Sequence, residues 1–412
     1  MVDVIVQFGR ECAKLNFSAL HVYIGACLGM GVFRNREALF HDYVPLRLPY
    51  REGEFEELLG YFKPVLSGRL SVKVHVNGEI GTGKTVLCRR LLRALEGEAS
   101  STGVRVKCAY VNLAYAPKPY YAMAELHRQV AGAPASGLSP EQMLANVVET
   151  IVEENSKLVV VLDEVDTYID EGGDAKIFYL LPRAHELNME ASGRISLIYV
   201  SRSFDWLGRL DAATLDTLGR TLAVKLEPYG IRQVRDIAAY RADEAFELGA
   251  IDEEVIDFIA YISMDYGGVR YALELLLGAG IIAERQGRSH VRAEDIRMAN
   301  AAIPKGSNGA FYPDELSLHK QLILKSIMET LEATGRPYIT FQDAYTNYVE
   351  ACQDQNVEPE NEKTIIEYIK DLKIEGYILQ RGKGEKMKVG MEYPFHSLAE
   401  AIEKSLKRSF KP

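Results

Sequence analysis

From about Val32 to Leu226, short apolar runs alternate with amphipathic stretches, the pattern of a parallel sheet covered by helices. The runs Leu70 to Val76, Val104 to Val111, Leu158 to Leu162, Ile195 to Val200 and Leu222 to Leu226 are the expected strands. The third, LVVVL, is apolar at every position, as a strand sandwiched between helix layers must be, and is expected at the centre of the sheet. After Pro228 the strand pattern stops. Four stretches beginning IRQVRD, DEEVID, VRYALE and RAEDIR read as helices separated by glycine. Pro304 to Glu315, rich in Pro, Gly, Ser and Asn, reads as a linker. Beyond it come three helical patterns and a short extended pair with a glycine-rich tip. In the first of these helices Leu318, Leu322, Ile323, Ile327 and Leu331 form one stripe. In the second, Thr340 is placed to cap and Tyr345, Tyr348 and Cys352 fall on the buried side. The third ends at Gly376.

A chain of 412 residues exceeds what one hydrophobic core organises, so two or three domains are expected. Cys12, Cys27, Cys88, Cys108 and Cys352 are odd in number, scattered and never arranged as C-x-x-C, which argues against a disulfide framework or a zinc site and for a reducing cytoplasm. Phe17 to Phe33 carries no charge, but it is shorter than the ~20 residues of a membrane span and is diluted by His21 and three glycines, so no membrane role is expected. The formal charge of -10 excludes a protein basic over its whole surface. Any nucleic-acid contact must come from a local patch.

The stretch VHVNGEIGTGKTVLC carries the chemistry. Gly78 to Thr85 fits G-x-x-x-x-G-K-[ST] between an expected strand and an expected helix. Glycines at 78, 81 and 83 let backbone N–H groups curl round phosphates, Lys84 adds a cation, and Thr85 can ligate Mg²⁺. Some eighty residues on, LVVVLDEVD sets Asp163 and Glu164 at the carboxyl end of a strand. There Asp163 would hold Mg²⁺ through water and Glu164 would orient or deprotonate an attacking water, the two candidate catalytic residues.

The segments YVPLRLPYREGEFEELLGYFKPVL, NGEIGTGKT, VLDEVD, RISLIYVS, LEPYGIRQVRDIAAYRADEAF and GGVRYALELLLGAGIIAERQ occur in an order that resembles archaeal replication initiators of the origin-recognition and cell-division-control type, which are AAA+ ATPases. The resemblance implies an α/β fold: a P-loop AAA+ parallel-sheet domain at 32–227 after an N-terminal extension at 1–31, an all-helical lid at 228–303, a linker at 304–315 and a winged-helix DNA-binding domain at 316–412. It implies that Gly78, Ile80, Gly81, Thr82, Gly83, Lys84 and Thr85 hold the phosphates of ATP or ADP, that Tyr229 and Arg241 contact the nucleotide, and that Arg270 is the lid's sensor arginine, coupling nucleotide state to the angle between domains. It also implies Mg²⁺ at Thr85 and Asp163, double-stranded origin DNA, other initiator subunits and the replicative helicase as partners, and a cytoplasmic, nucleoid-associated setting. The segment LAYAPKPYYAMAEL resembles the place where initiators insert a DNA-contacting helical element. Two positions depart from the family: Arg202 stands where an asparagine is usual after the fourth strand, and Ala213 where an arginine completes a neighbour's site, with Arg209 and Arg220 nearby. Both departures act on hydrolysis, so binding is expected to survive and turnover to be slow.

The C-terminal order of helix, helix, helix and hairpin is that of a winged helix, whose third helix can enter a major groove. Arg381, Lys383, Lys386 and Lys388 against Glu385 leave the wing at +3, the local basic patch that an acidic protein needs in order to meet phosphate. On the third helix Glu367 and Asp371 would be repelled, which leaves Lys363, Thr364, Tyr368 and Lys370 as candidate contacts. A second reading stays open at this point: a turnover P-loop ATPase, clamp-loader-like or signalling, whose winged helix binds protein.

Overall fold

Between Asp42 and Gln233 the apolar runs form a parallel sheet and the amphipathic stretches cover it. The computed structural model describes residues 31–67, 70–116, 118–219, 221–304, 313–382 and 386–409. They pack as two units, one of residues 42–233 and one of the described residues up to His41 and from Val234 onward. The first unit runs α1 (Glu52–Ser67), β1 (Lys73–Gly78), α2 (Lys84–Thr102), β2 (Arg105–Asn112), α3 (Pro119–Ala131), α4 (Pro140–Glu153), β3 (Ser156–Asp163), α5 (Val165–Asp170), α6 (Lys176–Leu180), β4 (Ile195–Ser201), α7 (Ala212–Leu218) and β5 (Leu222–Leu226).

Among the described residues the sheet has the order β2-β3-β4-β1-β5, with every neighbouring pair parallel. The run LVVVL lies in β3, buried along its whole length, but the central strand is β4. An apolar run on both faces marks an interior strand and cannot distinguish the second place from the third. The two-residue period then divides the core. Leu158, Val160 and Leu162 meet α3, α4 and the Phe178 and Trp206 rings on one face, while Val159 and Val161 meet Leu58, Leu87 and Leu91 on the other. The order also sets the carboxyl ends of β1, β4 and β3 side by side, with Asn77 in register with Ser201 and Tyr199 with Leu162.

The second unit opens with residues 31–41, which pack on the helices of the lid. Arg34 N–H donates to the Ala245 carbonyl at 2.8 Å, and the Phe33 ring stacks on Phe246 at 4.8 Å. A side chain at Gly280 would collide with Phe33, its Cβ 2.1 Å from the ring, so this contact requires glycine. Counting the segment from Val32 as part of the α/β body therefore differs from where its partners lie. The lid helices are α8 (Ile231–Ala245), α9 (Glu253–Ser263), α10 (Val269–Arg285) and α11 (Ala293–Ala302). The winged helix follows as α12 (Leu318–Thr334), β6 (Tyr338–Thr340), α13 (Phe341–Asp354), α14 (Glu362–Ile374), β7 (Leu379–Arg381), β8 (Lys388–Gly390) and α15 (Phe395–Ser409), with an antiparallel sheet in the order β6-β8-β7. Thr340 caps α13 in a reciprocal box with Asp343, and Tyr348 and Cys352 are fully buried. Strand β6 and helix α15 are additions to the sequence reading.

Lid and winged helix share a polar joint at α11. Arg297 of α11 is completely buried, donates to the Met391 carbonyl at 2.8 Å, and lies over the rings of Phe395 (4.4 Å) and Phe258 (5.2 Å). Burial pushes its guanidinium down to about 10, with Glu294 opposing the shift. Beside it Asn300 donates to the Glu392 carbonyl at 3.1 Å and accepts from the Tyr271 hydroxyl at 2.7 Å. The N-terminal extension at 1–30 and most of the linker lie outside the described residues, and among those described no helix is long and apolar enough to cross a membrane.

Candidate functional site

The phosphate loop joins β1 to α2. Gly81 and Gly83 have φ of 82° and 91°, left-handed values that a β-carbon would strain, and a Cβ at Gly78 would lie 2.4 Å from the Leu226 carbonyl oxygen. The glycines are thus required by backbone shape and by close approach to β5. Ile80 is exposed at the tip while Thr82 is buried beneath it, its hydroxyl donating to the Glu79 carbonyl at 2.8 Å. Lys84 folds back over the loop and donates to the Gly78 and Glu79 carbonyls at 2.6 and 2.9 Å. Burial lowers its ammonium below the ordinary value; Glu164, Asp163 and Asp166 oppose this and Arg202 adds to it. These four charges thus all act on Lys84 at the carboxyl edge of the sheet.

Asp163, 1 % exposed at the end of β3, is the hub. Its Oδ2 accepts from the Thr85 hydroxyl at 2.7 Å and from the Tyr110 hydroxyl, and its Oδ1 accepts from the Glu164 N–H at 2.9 Å. Burial, and next the Asp163 charge, push the Tyr110 phenol far up, so it stays a donor. Two hydroxyls and a carboxylate meeting at one point form an all-oxygen donor set, which suits a hard divalent cation. Glu164 adopts φ 59° and ψ 41°, an unusual conformation for a residue with a side chain, and accepts from the Thr167 hydroxyl at 3.1 Å.

Arg51 and Tyr110 are parts of the site that sequence reasoning missed. Arg51, buried at the start of α1, donates to the Thr82 carbonyl at 3.1 Å, to the Glu227 carbonyl and to Glu54 at 2.9 Å, and its guanidinium lies 4.0 Å from the Tyr229 ring centroid. Tyr229 closes the loop's other flank: a Cβ on Gly83 would come within 3.1 Å of its hydroxyl. Burial raises that phenol to about 12. The signal for Arg51 was its place in PYREGEF, within the first of the segments that carry the family resemblance.

Arg241, which the resemblance implies as a nucleotide contact, bonds backbone carbonyls of the 31–41 segment. It is buried in α8, and its Nε donates to the Ala38 carbonyl at 2.6 Å, with Nη2 bonding the same oxygen and reaching the Phe40 carbonyl at 3.4 Å. Its guanidinium ties the 31–41 segment to the lid. Arg270 is exposed in the first turn of α10. Arg202, just past β4, pairs with Asp166 at 2.7 Å; Arg209 pairs with Asp170; Ala213 is exposed on α7; Arg220 lies outside the described residues.

The candidate DNA contacts sit on the winged helix. Lys386 and Lys388 are exposed, and Lys383 lies outside the described residues. Arg381 is half-buried: Nη1 stands 3.6 Å from Asp257 of α9, and its guanidinium lies 5.3 Å from the Tyr338 ring centroid. Together with Glu254, Asp257, Tyr338 and Gly382, the cations Arg381, Lys386 and Lys388 line a cavity of about 280 Å³. On α14, Lys363 and Lys370 are exposed, while Thr364 and Tyr368 are half-buried, the latter packed on the core. The carboxylates feared as repulsive each hold a cation, Glu367 pairing with Lys370 at 2.7 Å and Asp371 with Lys320 at 3.0 Å. Tyr115 and Tyr121, in the segment after β2, are exposed. No cluster of metal-binding side chains occurs among the described residues, and Cys88, Cys108 and Cys352 are free thiols.

Comparison with known proteins follows the same division of the chain. Residues 47–225 match the AAA ATPase domain, 235–301 the Cdc6 AAA+ ATPase-type lid domain and 314–401 the CDC6 C-terminal winged helix domain. The ORC1-type DNA replication protein 1 of Aeropyrum pernix is 34% identical over 360 residues, covering 86% of this chain and 89% of that protein. The ORC1-type DNA replication protein 2 of Saccharolobus solfataricus is 30% identical, covering 87% and 88%. The solved structure of Cdc6p from Pyrobaculum aerophilum superposes with a TM-score of 0.78 at 25% identity, over 92% of this chain and all of that one. That of the Aeropyrum pernix ORC1 protein in complex with DNA gives 0.59 at 30% identity, over 92% and 99%. With a phosphate loop wired to an acidic strand end, a Cdc6-type lid and a Cdc6-type winged helix in one chain, the protein belongs to the ORC1-type DNA replication protein family, a family of AAA+ nucleotide-binding proteins.

Proposed function

We propose that this protein is a replication initiator that binds double-stranded origin DNA under the control of bound ATP or ADP and helps to load the replicative helicase. The observation that carries the reading is the bond between Thr85 and Asp163, which joins the phosphate loop to the acidic end of β3. A loop kept only for its shape has no need of that pairing. The relative from Aeropyrum pernix solved with DNA supports the duplex as ligand.

Residues Gly78 to Thr85 hold the phosphates, through backbone N–H groups and the Lys84 ammonium. Lys84 leaves the carbonyls of its own loop to do so. Thr85 and Asp163 would hold Mg²⁺, which when bound would neutralise phosphate charge. Glu164 is the general base. Its bond to Thr167 and the absence of an amide after β4 make turnover slow, so the nucleotide acts chiefly as a switch. Lys386, Lys388 and Arg381 on the wing, with Lys363 and Lys370 on α14, meet the DNA backbone.

Fluorescence anisotropy with duplex DNA from the region of the gene tests this, at several salt concentrations and with ATP or ADP present. Duplex affinity that differs between the two nucleotides and falls with salt is the expected result, and Lys84→Ala should abolish the nucleotide effect. Equal affinity with ATP, with ADP and with Lys84→Ala would reject the switch.

A further inference from the structure

We propose that Tyr110 makes the metal site selective for Mg²⁺ over Ca²⁺, its hydroxyl closing the oxygen of Asp163 that a cation on Thr85 would otherwise bond directly. The inference rests on the phosphate-loop reading above and adds a specificity-determining residue to it.

The strand pattern brings the phenol to this point. Among the described residues β2 is an edge strand, paired with β3 alone. Val106, Cys108 and Tyr110 share its α2 face, where they pack against the cluster that holds Leu87 and Leu91. Tyr110 is in register with Val161, and two residues further along the same face of β3 stands Asp163. The phenol therefore crosses diagonally to that carboxylate, where Thr85 from the first turn of α2 also arrives. Two contacts fix its position. The sheet edge leaves the Tyr110 N–H and C=O without a neighbouring strand, and the Gln129 amide of α3 takes the place of one. Gln129 Oε1 accepts from the N–H at 2.9 Å and its Nε2 donates to the carbonyl at 2.8 Å. On the ring, the Arg89 guanidinium of α2 lies 4.5 Å from the centroid.

The acceptor directions of Asp163 show what the hydroxyl does. An ionised carboxylate offers about four lone-pair directions, two on each oxygen. Oδ2 receives the Thr85 hydroxyl at 2.7 Å and the Tyr110 hydroxyl, so both of its directions are filled. Oδ1, turned toward the Glu164 N–H at 2.9 Å, keeps one. Thr85 can present a lone pair to a cation while its proton stays on Oδ2, but Oδ2 then has nothing left for that cation. Asp163 acts instead through Oδ1, by accepting from a water in the cation's shell. This suits Mg²⁺, which dehydrates reluctantly and keeps several waters in octahedral order. It is poor for Ca²⁺, which seeks about six to eight oxygens, carboxylates among them. Without the phenol hydroxyl, Oδ2 regains a lone pair beside Thr85 and becomes the direct ligand that Ca²⁺ lacks.

The metal dependence of nucleotide binding tests the assignment. Fluorescence of N-methylanthraniloyl-ADP on the full chain is followed while MgCl₂ or CaCl₂ is added, and the ratio of the two half-saturating concentrations is compared between variants. The affinity of free nucleotide for each ion is common to all of them and cancels. In Tyr110→Phe, which keeps the ring and its Arg89 contact, the ratio should move about tenfold in favour of Ca²⁺. Gln129→Ala, which loosens the backbone and leaves the hydroxyl in place, should move it the same way by about two- to threefold. A merely structural role would weaken binding with both ions alike and leave the ratio where it was. A ratio that stays within about twofold in Tyr110→Phe, or moves toward Mg²⁺, overturns the proposal with the phosphate loop intact. No movement in Gln129→Ala would show that the amide does not set the hydroxyl. Failure of the unaltered protein to bind ADP with either ion removes the phosphate-loop reading and this one with it.

Discussion

His75 offers a test of the fold that needs no ligand. It lies in the middle of β1, 1 % exposed, with the rings of Tyr199, Phe204 and Trp206 around it at centroid distances of 5.1, 5.5 and 5.6 Å. Its Nδ1 has no hydrogen-bond partner. Burial among apolar rings disfavours the imidazolium and lowers the group from 6.5 to about 4. The folded state thus binds this proton less readily than the unfolded chain does. The stabilisation is complete above pH 6.5 and is lost as pH falls toward 4. It amounts to roughly 3 kcal/mol, because each tenfold difference in proton affinity between the two states is worth about 1.4 kcal/mol. For a domain of this size that corresponds to a fall in Tm of about 6–12 °C. Carboxylates also titrate in this range, so the measurement is a difference: urea unfolding followed by Trp206 fluorescence, from pH 7 to 4, in the unaltered protein and in His75→Phe. The phenylalanine variant keeps an aromatic ring without the titration, and the stability difference should swing by about 3 kcal/mol in its favour as the pH drops. A difference that stays constant to within about 0.5 kcal/mol across the range would refute the argument, and with it the placement of His75 in a sealed aromatic cluster.

Three further outcomes are expected. Lys386→Glu with Lys388→Glu should weaken duplex binding and flatten its salt dependence, read by anisotropy, because each phosphate contact removed lowers the slope by about one. Asp257→Asn should do the reverse on a smaller scale: the carboxylate that now holds Arg381 is gone, and duplex affinity should rise about two- to threefold at low salt, whereas a fall would show that Asp257 positions Arg381 for DNA. Arg297→Ala should lower the thermal unfolding midpoint by an amount equivalent to about 3 kcal/mol, since it leaves the Met391 carbonyl without its donor and opens a void between the Phe258 and Phe395 rings.

What the chain disclosed in advance follows the range of the physics. The phosphate loop was legible because its requirements are local: Gly81 and Gly83 answer to their own φ angles, and Lys84 and Thr85 follow them in sequence. Asp163 was legible because a strand made apolar for burial ends abruptly in charge. Arg51, Tyr110 and Asp166 were not, since each acts through a partner far along the chain: Arg51 on Glu227, Tyr110 on Asp163, Asp166 on Arg202. Arg241 likewise bonds the Ala38 carbonyl 203 residues upstream, a contact that no local pattern indicates. The place of β3 in the sheet and the three-residue strand β6 depend on pairing, which periodicity does not record.

Arg51 has a consequence for how fast the site can work. Its guanidinium clamps the Thr82 carbonyl within the phosphate loop to the Glu227 carbonyl beyond β5, and rests on Tyr229. The loop is thereby shaped from outside itself, before any ligand arrives. A cradle of this kind loses little entropy when it is filled, so capture of nucleotide should approach the pace of simple encounter and the lifetime of the complex should be set by departure alone.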